Sequence, residues 1–83
     1  MAEQRLLKLI VSRVDAPVFE GEVLSVHVPG AAGEMEIMAD HEPLISPLKT
    51  GTLTIKINKE QKEEYQIDSG TLEISNNQAT ILI

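Results

Sequence analysis

The sequence contains no cysteine, which excludes a disulfide scaffold, thiolate metal ligands and a thiol nucleophile. Aromatic residues are almost as scarce, with one Phe, one Tyr and no Trp, so the stacking platforms of single-strand binders and many sugar binders are missing. Basic residues are also few. Because 7 Lys and Arg stand against 13 Asp and Glu, the net charge is −6, which argues against a nucleic-acid partner.

Long hydrophobic runs are missing too, and none approaches the roughly 20 residues that a membrane span requires. The apolar stretch near the N-terminus is short and is interrupted by charged residues, unlike that of a signal peptide. A chain of 83 residues leaves room for one domain, which we expect to cover residues 1–83. The expectation is an acidic, cytoplasm-type domain that does not insert into a membrane and is a monomer in isolation.

What the sequence does contain is a two-residue alternation of apolar and polar side chains. In Gly51–Asn58 the apolar residues recur at every second position, which is typical of a strand with one buried face. Segments 71–75 and 78–83 repeat the pattern around Asn76-Asn77, a pair that suits a tight hairpin turn because asparagine tolerates positive φ. A further strand is predicted to face the core through Leu24, Val26 and Val28.

Turn signals recur about every 8–12 residues, which is typical of an all-β sandwich or barrel. No connection is long enough to carry a crossover helix, so the pairing is predicted to be antiparallel. The predicted fold is therefore an all-β, antiparallel β-sandwich of about 8–10 short strands.

The first and last strands carry more apolar residues than one buried face needs. The first strand is predicted to face the core through Leu7, Leu9 and Val11. Leu6 and Ile10 then lie on the opposite face, and Leu82 is turned away from its neighbours in the same way. These residues are either isolated exposed side chains, which are common, or part of a surface that a partner covers.

The chain offers little for chemistry. His27 and His41 are the only histidine bases, and no Gly-x-Ser-x-Gly elbow accompanies them. Asp40, His41 and Glu42 are metal-ligand types, but three adjacent residues point in different directions and converge poorly. We therefore expect no catalytic residues, no metal site and no cofactor. Lys49 raises the alternative of a lipoyl- or biotinyl-type carrier domain, although its neighbours lack the signatures of those families.

Four segments, read together, resemble one family. Residues 18–30 look like its first long hairpin, and 33–45 are similar to its Gly-Glu-x-Gly-Ile-x-x-x-His-x-Pro-Leu loop. Residues 48–55 resemble its Leu-Lys-x-Gly-x-Leu strand entry, and 69–74 its Gly-Gly-x-Leu-Glu-Val strand. The family is the epsilon subunit of F-type ATP synthase (delta in mitochondria), and the resemblance runs from Leu6 to Ile83, over its N-terminal β-sandwich.

The resemblance implies a non-catalytic rotor subunit in the central stalk, which binds the gamma subunit and the c-ring and helps couple proton flow to ATP synthesis. It implies a peripheral location at the cytoplasmic face of a bacterial plasma membrane. The implied partner-binding residues are Leu6, Ile10, Glu34, Met35, Glu36, Met38, His41 and Leu82. A free-standing interaction module on the same fold is the alternative.

Two of these residues have a second interpretation that the sequence leaves open. Glu34 is either the acidic group that reaches toward basic c-ring loops or a solvated surface charge. His41 either contacts the partner directly or stabilises its own turn.

Three departures from the family pattern put the loop conformation in question. Glu36 and Asp40 stand where the family usually has Gly, and Ser69 replaces the first Gly of the Gly-Gly pair. The first two remove a residue that tolerates positive φ and add negative charge, which suggests unusually basic partner loops. Family members mostly carry a C-terminal helical hairpin after this domain, and since the sequence ends at Ile83 we expect neither inhibition through such an arm nor its ATP site.

Overall fold

The computed structural model describes residues 5–83, and within this range the chain forms nine strands. In chain order they are β1 (Leu7–Ser12), β2 (Pro17–Val23), β3 (Ser25–Gly30), β4 (Gly33–Met38), β5 (Leu44–Leu48), β6 (Gly51–Asn58), β7 (Gln61–Ile67), β8 (Gly70–Ser75) and β9 (Gln78–Leu82). The described residues include no helix that is long and apolar enough to cross a membrane.

The strands form one sheet that curls into a two-layered sandwich. Along the sheet the order is β2-β1-β9-β8-β5-β3-β6-β7, and β4 pairs with β3 outside this path. We call β2-β1-β9-β8-β5 the first layer and β4-β3-β6-β7 the second layer. The layers join where Gly30 of β3 pairs with Leu48 of β5. The predicted all-β sandwich is confirmed, with a strand number inside the predicted range.

The hairpin predicted at Asn76-Asn77 is also present. Both residues have positive φ, 52° and 59°, as a tight two-residue turn between paired strands requires. Strand β6 has the bounds that the alternation predicted, and its Leu53 and Ile55 are fully buried.

One pair of strands departs from the antiparallel prediction, because β1 and β9 run parallel, with Ile10 opposite Thr80. The antiparallel prediction is wrong for this pair. The first and last strands are joined by the whole of the intervening chain, so they pair in parallel without any local crossover helix.

Residues 18–30 do not form the hairpin that the resemblance suggested. Strand β2 pairs with β1, whereas β3 pairs with β4 and β6, and a bend at Leu24 separates the two strands. The Leu24 N–H donates to the Lys56 carbonyl at 2.9 Å. This bend breaks the alternation, so Val23 is fully buried and Leu24, predicted to face the core, is only half-buried.

The core lies between the two layers and consists of aliphatic side chains from both. Its fully buried members include Leu7, Leu9, Val11, Val23, Val26, Val28, Ile37, Leu53, Ile55, Leu72, Ala79 and Ile81. The inward face predicted for the first strand is confirmed by the burial of its three alternating apolar residues.

The Gly-Gly departure has a simple structural explanation. A Cβ on Gly70 would lie 2.5 Å from the Leu82 carbonyl oxygen, closer than real Cβ atoms approach backbone, so the second glycine of the pair is the one that the fold needs. Ser69 precedes the strand in an exposed position, where a side chain is accommodated.

Candidate partner-binding surfaces

The outer face of the first layer carries the surplus apolar residues of the terminal strands. In the register of the sheet, Ile10 lies between Glu20 of β2 and Thr80 of β9, and Thr80 in turn lies opposite Glu73 of β8. The same row reaches β5 at Ile45. Residues that lie opposite one another in register share a face, so this row crosses the whole outer surface of the layer.

Three apolar side chains lie on this outer face. Ile10 is half-buried. Leu82 is 54% exposed and lies in the neighbouring row of the same face, between Ser12 of β1 and Thr71 of β8. Ile45 is 72% exposed. We call Ile10, Ile45 and Leu82 the apolar face; Ile10 and Leu82 were predicted from the sequence and lie on adjacent strands, whereas Ile45 is added by the structure and is separated from Ile10 by Thr80 and Glu73.

Sequence reasoning missed Ile45 because Leu44 and Ile45 are adjacent apolar residues, and alternation alone cannot decide which of them faces inward. In the structure Leu44 packs against the core and Ile45 faces outward. The register of β5 with β8, in which Leu44 lies opposite the buried Ile74, decides between them, and only the structure provides it.

Strand β4 holds four of the predicted residues, and its two faces separate them. Ile37 is fully buried and Met35 packs partly against the core. Glu34, Glu36 and Met38 alternate with them and are exposed. We call Glu34, Glu36 and Met38 the β4 face; it lies on the second layer, apart from the apolar face of the first layer.

An intramolecular ion pair occupies part of the β4 face. The Nε2 atom of His27 lies 3.1 Å from Oε1 of Glu34, and both side chains are largely exposed. Glu36 lies directly opposite His27 in the pairing of β3 with β4. A protonated His27 therefore partly neutralises the acidic group that the sequence assigned to the partner.

His41 lies in the turn between β4 and β5 and is half-buried. Its Nδ1 atom is 2.8 Å from the Glu42 carbonyl oxygen, so a protonated Nδ1 donates a hydrogen bond within the turn. This contact fits the turn-stabilising interpretation of His41 that the sequence left open.

The residue before it, Asp40, has a φ of 64°, which is the positive φ that the family's glycine supplies at this position. Arg5 donates to its carboxylate at 2.9 Å, so the charge added at Asp40 is balanced within the chain. Glu36, in contrast, is an ordinary strand residue opposite His27, outside the positive-φ region.

Leu6 lies just before β1 and is 37% exposed. Its carbonyl oxygen accepts a hydrogen bond of 3.0 Å from Nδ2 of Asn77, in the β8–β9 turn. Asn77 also accepts from the Asp40 N–H at 2.8 Å, so one residue connects Leu6 with the turn that contains His41.

Across residues 5–83, no three His, Asp or Glu side chains are grouped closely enough to hold a metal ion. Among residues 5–83 the pKa is clearly shifted at Tyr65, whose hydroxyl donates to Glu63 at 2.6 Å; this hydrogen bond, partial burial and the Glu63 charge raise the pKa of Tyr65 above 10.0.

Lys49 does not lie at the tip of a hairpin, as a carrier domain would require. It lies in the short connection between β5 and β6, and these strands pair with other neighbours rather than with each other. Its backbone N–H donates to the Pro29 carbonyl at 2.9 Å.

Comparison with known proteins gives one consistent family. A family model described as the ATP synthase, Delta/Epsilon chain, beta-sandwich domain matches residues 6–83. The chain is 33% identical over 81 residues to the ATP synthase epsilon chain of Chlorobium limicola, covering 98% of this chain and 92% of that protein.

Other relatives are longer. The identity is 38% over 77 residues with the ATP synthase epsilon chain of Nitratiruptor sp., where 93% of this chain covers 60% of that protein. It is 44% over 78 residues with the epsilon chain of Protochlamydia amoebophila, where 93% of this chain covers 52% of that protein. The chain thus spans as little as about half the length of some curated relatives that it matches.

Two solved structures share the fold. A chain of the Euglena gracilis mitochondrial ATP synthase matches with a TM-score of 0.86 at 23% identity, covering 93% of this chain and 49% of that chain. A chain of the Tetrahymena thermophila mitochondrial ATP synthase, from its central stalk and c-ring, matches with a TM-score of 0.79 at 10% identity. The match covers 98% of this chain and 65% of that chain.

Proposed function

Because this chain belongs to the family of ATP synthase delta and epsilon β-sandwich domains, we propose that it is a non-catalytic subunit of the central stalk of F-type ATP synthase. In this role it turns with the rotor and helps couple proton flow to ATP synthesis. The observation that carries the proposal is the family match over residues 6–83, which includes every residue of both candidate surfaces.

The two surfaces differ in chemistry, and the proposal assigns them to different partners. Permanent interfaces are more apolar than open surface, so the apolar face of Ile10, Ile45 and Leu82 is assigned to the gamma subunit. Charged residues give register and specificity more than affinity, so the β4 face, with Glu34 and Glu36, is assigned to the loops of the c-ring.

The same proposal gives a location. A subunit held between gamma and the c-ring lies against the membrane as a peripheral part of the complex. The relatives named above from Chlorobium, Nitratiruptor and Protochlamydia are bacterial proteins, which supports the cytoplasmic face of a bacterial plasma membrane.

The test is a calorimetric titration of the chain against the purified gamma subunit from the same organism. We expect one-to-one binding, and we expect Ile10→Lys or Leu82→Lys to weaken it by at least about tenfold, since each places a charge in the centre of the interface. Thr54→Lys is the matched control because it adds the same charge to the outer face of the second layer, opposite Glu64.

The outcomes separate the proposal from its alternative. Equal loss of affinity in all three variants would contradict the assignment of the apolar face. No binding by the unsubstituted chain, with both proteins folded, would refute the rotor role and leave a free-standing interaction module.

A further inference from the structure

Three segments that are distant in sequence meet at one end of the sandwich, around the side chain of Asn77. Its Oδ1 accepts from the Asp40 N–H at 2.8 Å, and its Nδ2 donates to the Leu6 carbonyl at 3.0 Å. Its own carbonyl accepts from the Lys8 N–H at 3.2 Å. One residue of the β8–β9 turn therefore binds both the β4–β5 turn and the segment that enters β1.

A second contact joins two of the same segments. Arg5, at the start of the described chain, donates to the Asp40 carboxylate at 2.9 Å, but the two side chains are 66% and 56% exposed. Exposed ion pairs contribute little, because solvent screens them and ordering both side chains costs entropy. The two amide hydrogen bonds of Asn77 differ from this ion pair because each has a backbone group as its partner, so only one side chain has to be ordered to make them.

The backbone at this point needs such support. Asp40 and Asn77 have φ values of 64° and 59°, a region that non-glycine residues seldom occupy. Such conformations persist when the surrounding structure holds them in place. At Asp40 the hydrogen bond from its own N–H to Asn77 is the contact that holds the turn where the family uses glycine.

We propose that Asn77 is a positioning residue that fixes the β4–β5 turn against the entry to β1. Met38 precedes this turn, His41 lies within it, and Leu6 lies on the other side of the Asn77 amide. Asn77 thereby orders partner-facing residues from two segments before the partner arrives, and preorganisation of this kind raises affinity by lowering the cost of ordering. The consequence for binding rests on the proposed rotor function; the structural role does not.

The test compares Asn77→Gly with Asn76→Gly in the 83-residue chain. Glycine permits positive φ, so both variants keep the turn, but only the first removes the amide that contacts Asp40 and Leu6. We expect hydrogen exchange at the Asp40 amide to accelerate by at least about tenfold in Asn77→Gly and to stay near the unsubstituted rate in Asn76→Gly. Equal exchange in the two variants would overturn the proposal.

A third variant separates the two hydrogen bonds of the amide. Asn77→Asp keeps an oxygen that accepts from the Asp40 N–H and removes the donor to the Leu6 carbonyl. We expect it to restore most of the protection of the Asp40 amide that Asn77→Gly loses. If protection stays as low as in Asn77→Gly, the hydrogen bond to Asp40 is not what holds the turn.

The binding readout uses a purified complex of gamma with the c-ring. We expect Asn77→Gly to bind at least about threefold more weakly than the unsubstituted chain, and Asn76→Gly to bind equally well. Unchanged binding of Asn77→Gly, with faster exchange at Asp40, would overturn the role in binding. If the unsubstituted chain does not bind, the rotor function itself is refuted, whatever the exchange rates are.

Discussion

At the scale of single residues, the most informative contact is the one between His27 and Glu34. The sequence left Glu34 as either a contact to a basic partner or a solvated surface charge, and in the structure its carboxylate lies 3.1 Å from a histidine of the same chain. A partner cation must therefore compete with His27 whenever the imidazole is protonated. Because the pair is exposed, its contribution to folding is small, and its effect falls on binding instead.

We predict that His27→Gln strengthens binding to the c-ring by about two- to fivefold, since it removes the imidazole that contacts Glu34 within the chain. The free energy of unfolding should change by less than about 1 kcal/mol, as for other exposed pairs. Glu34→Gln should weaken the same binding. The measurements are a titration against c-ring-containing complexes and urea denaturation. Weaker binding of His27→Gln would instead indicate that the imidazole itself contacts the partner.

Tyr65 gives a prediction on stability and pH. Its hydrogen bond to Glu63 raises the pKa of the hydroxyl in the folded state above 10.0. A raised pKa means that the folded state favours the neutral hydroxyl of Tyr65. This stabilisation is therefore fully present below the pKa that Tyr65 has in the unfolded chain, and it is lost as the pH rises through the pKa that it has in the folded chain. We expect the unfolding free energy of the chain to fall as the pH rises above about 10, and Tyr65→Phe to remove part of this fall.

The measurement is urea denaturation of both proteins at several pH values in that range. An equally steep decline in Tyr65→Phe would show that other groups cause the alkaline loss.

At the scale of elements, β1 shows how one strand serves two purposes. Leu9 is fully buried, whereas its neighbour Ile10 is half-buried on the outer face. Successive side chains of a strand point to opposite faces, so adjacent residues belong to different surfaces.

We predict that Leu9→Ala mainly lowers stability, whereas Ile10→Ala mainly weakens binding. The first leaves a cavity in the core and should lower the free energy of unfolding by about 2–5 kcal/mol. This is a large part of the total free energy of unfolding of a domain of this size. The second should cost less than about 1.5 kcal/mol and weaken binding to gamma, because it removes interface contact rather than core. Urea denaturation and calorimetry on the same two proteins separate these effects. Similar losses of stability would contradict the assignment of the two faces.

The alternation of β1 and β6 was sufficient to predict these strands and their inward faces, and the asparagine pair between two alternating segments predicted the Asn76-Asn77 turn, because these features depend on local geometry. The bend at Leu24 was not predictable in this way. It depends on a hydrogen bond to Lys56, whose position is known only once β3 and β6 are paired. The parallel pairing of β1 with β9 likewise depends on the whole chain.

At the scale of the whole molecule, the curl of the sheet decides which residues share a surface. The sequence could not say whether Ile10, Leu82 and Glu34 share a surface, and the structure places the first two on one layer and Glu34 on the other. No pattern within a strand contains that information, because it depends on the order of strands in the sheet. The missing Ile45 is a member of the apolar face for the same reason.

This separation predicts how salt affects assembly of the chain, whose net charge is −6, with the rotor. Exposed charges act over about a Debye length and mainly speed association, so salt should slow the binding that Glu34 and Glu36 assist. Contacts of Ile10, Ile45 and Leu82 are apolar, and salt does not screen them. Between about 0.05 and 0.5 M salt we expect association to slow by about tenfold and dissociation to change by less than about threefold.

The measurement is stopped-flow or surface-based kinetics with the complex of gamma and the c-ring. The matched control is the variant that carries both Glu34→Gln and Glu36→Gln, which keeps the apolar face and should show a flatter dependence of association on salt. If dissociation instead accelerates steeply with salt, the β4 face rather than the apolar face holds the complex together. The same slope in the control variant would place the steering charge elsewhere on the chain, since both carboxylates of that face are then neutral.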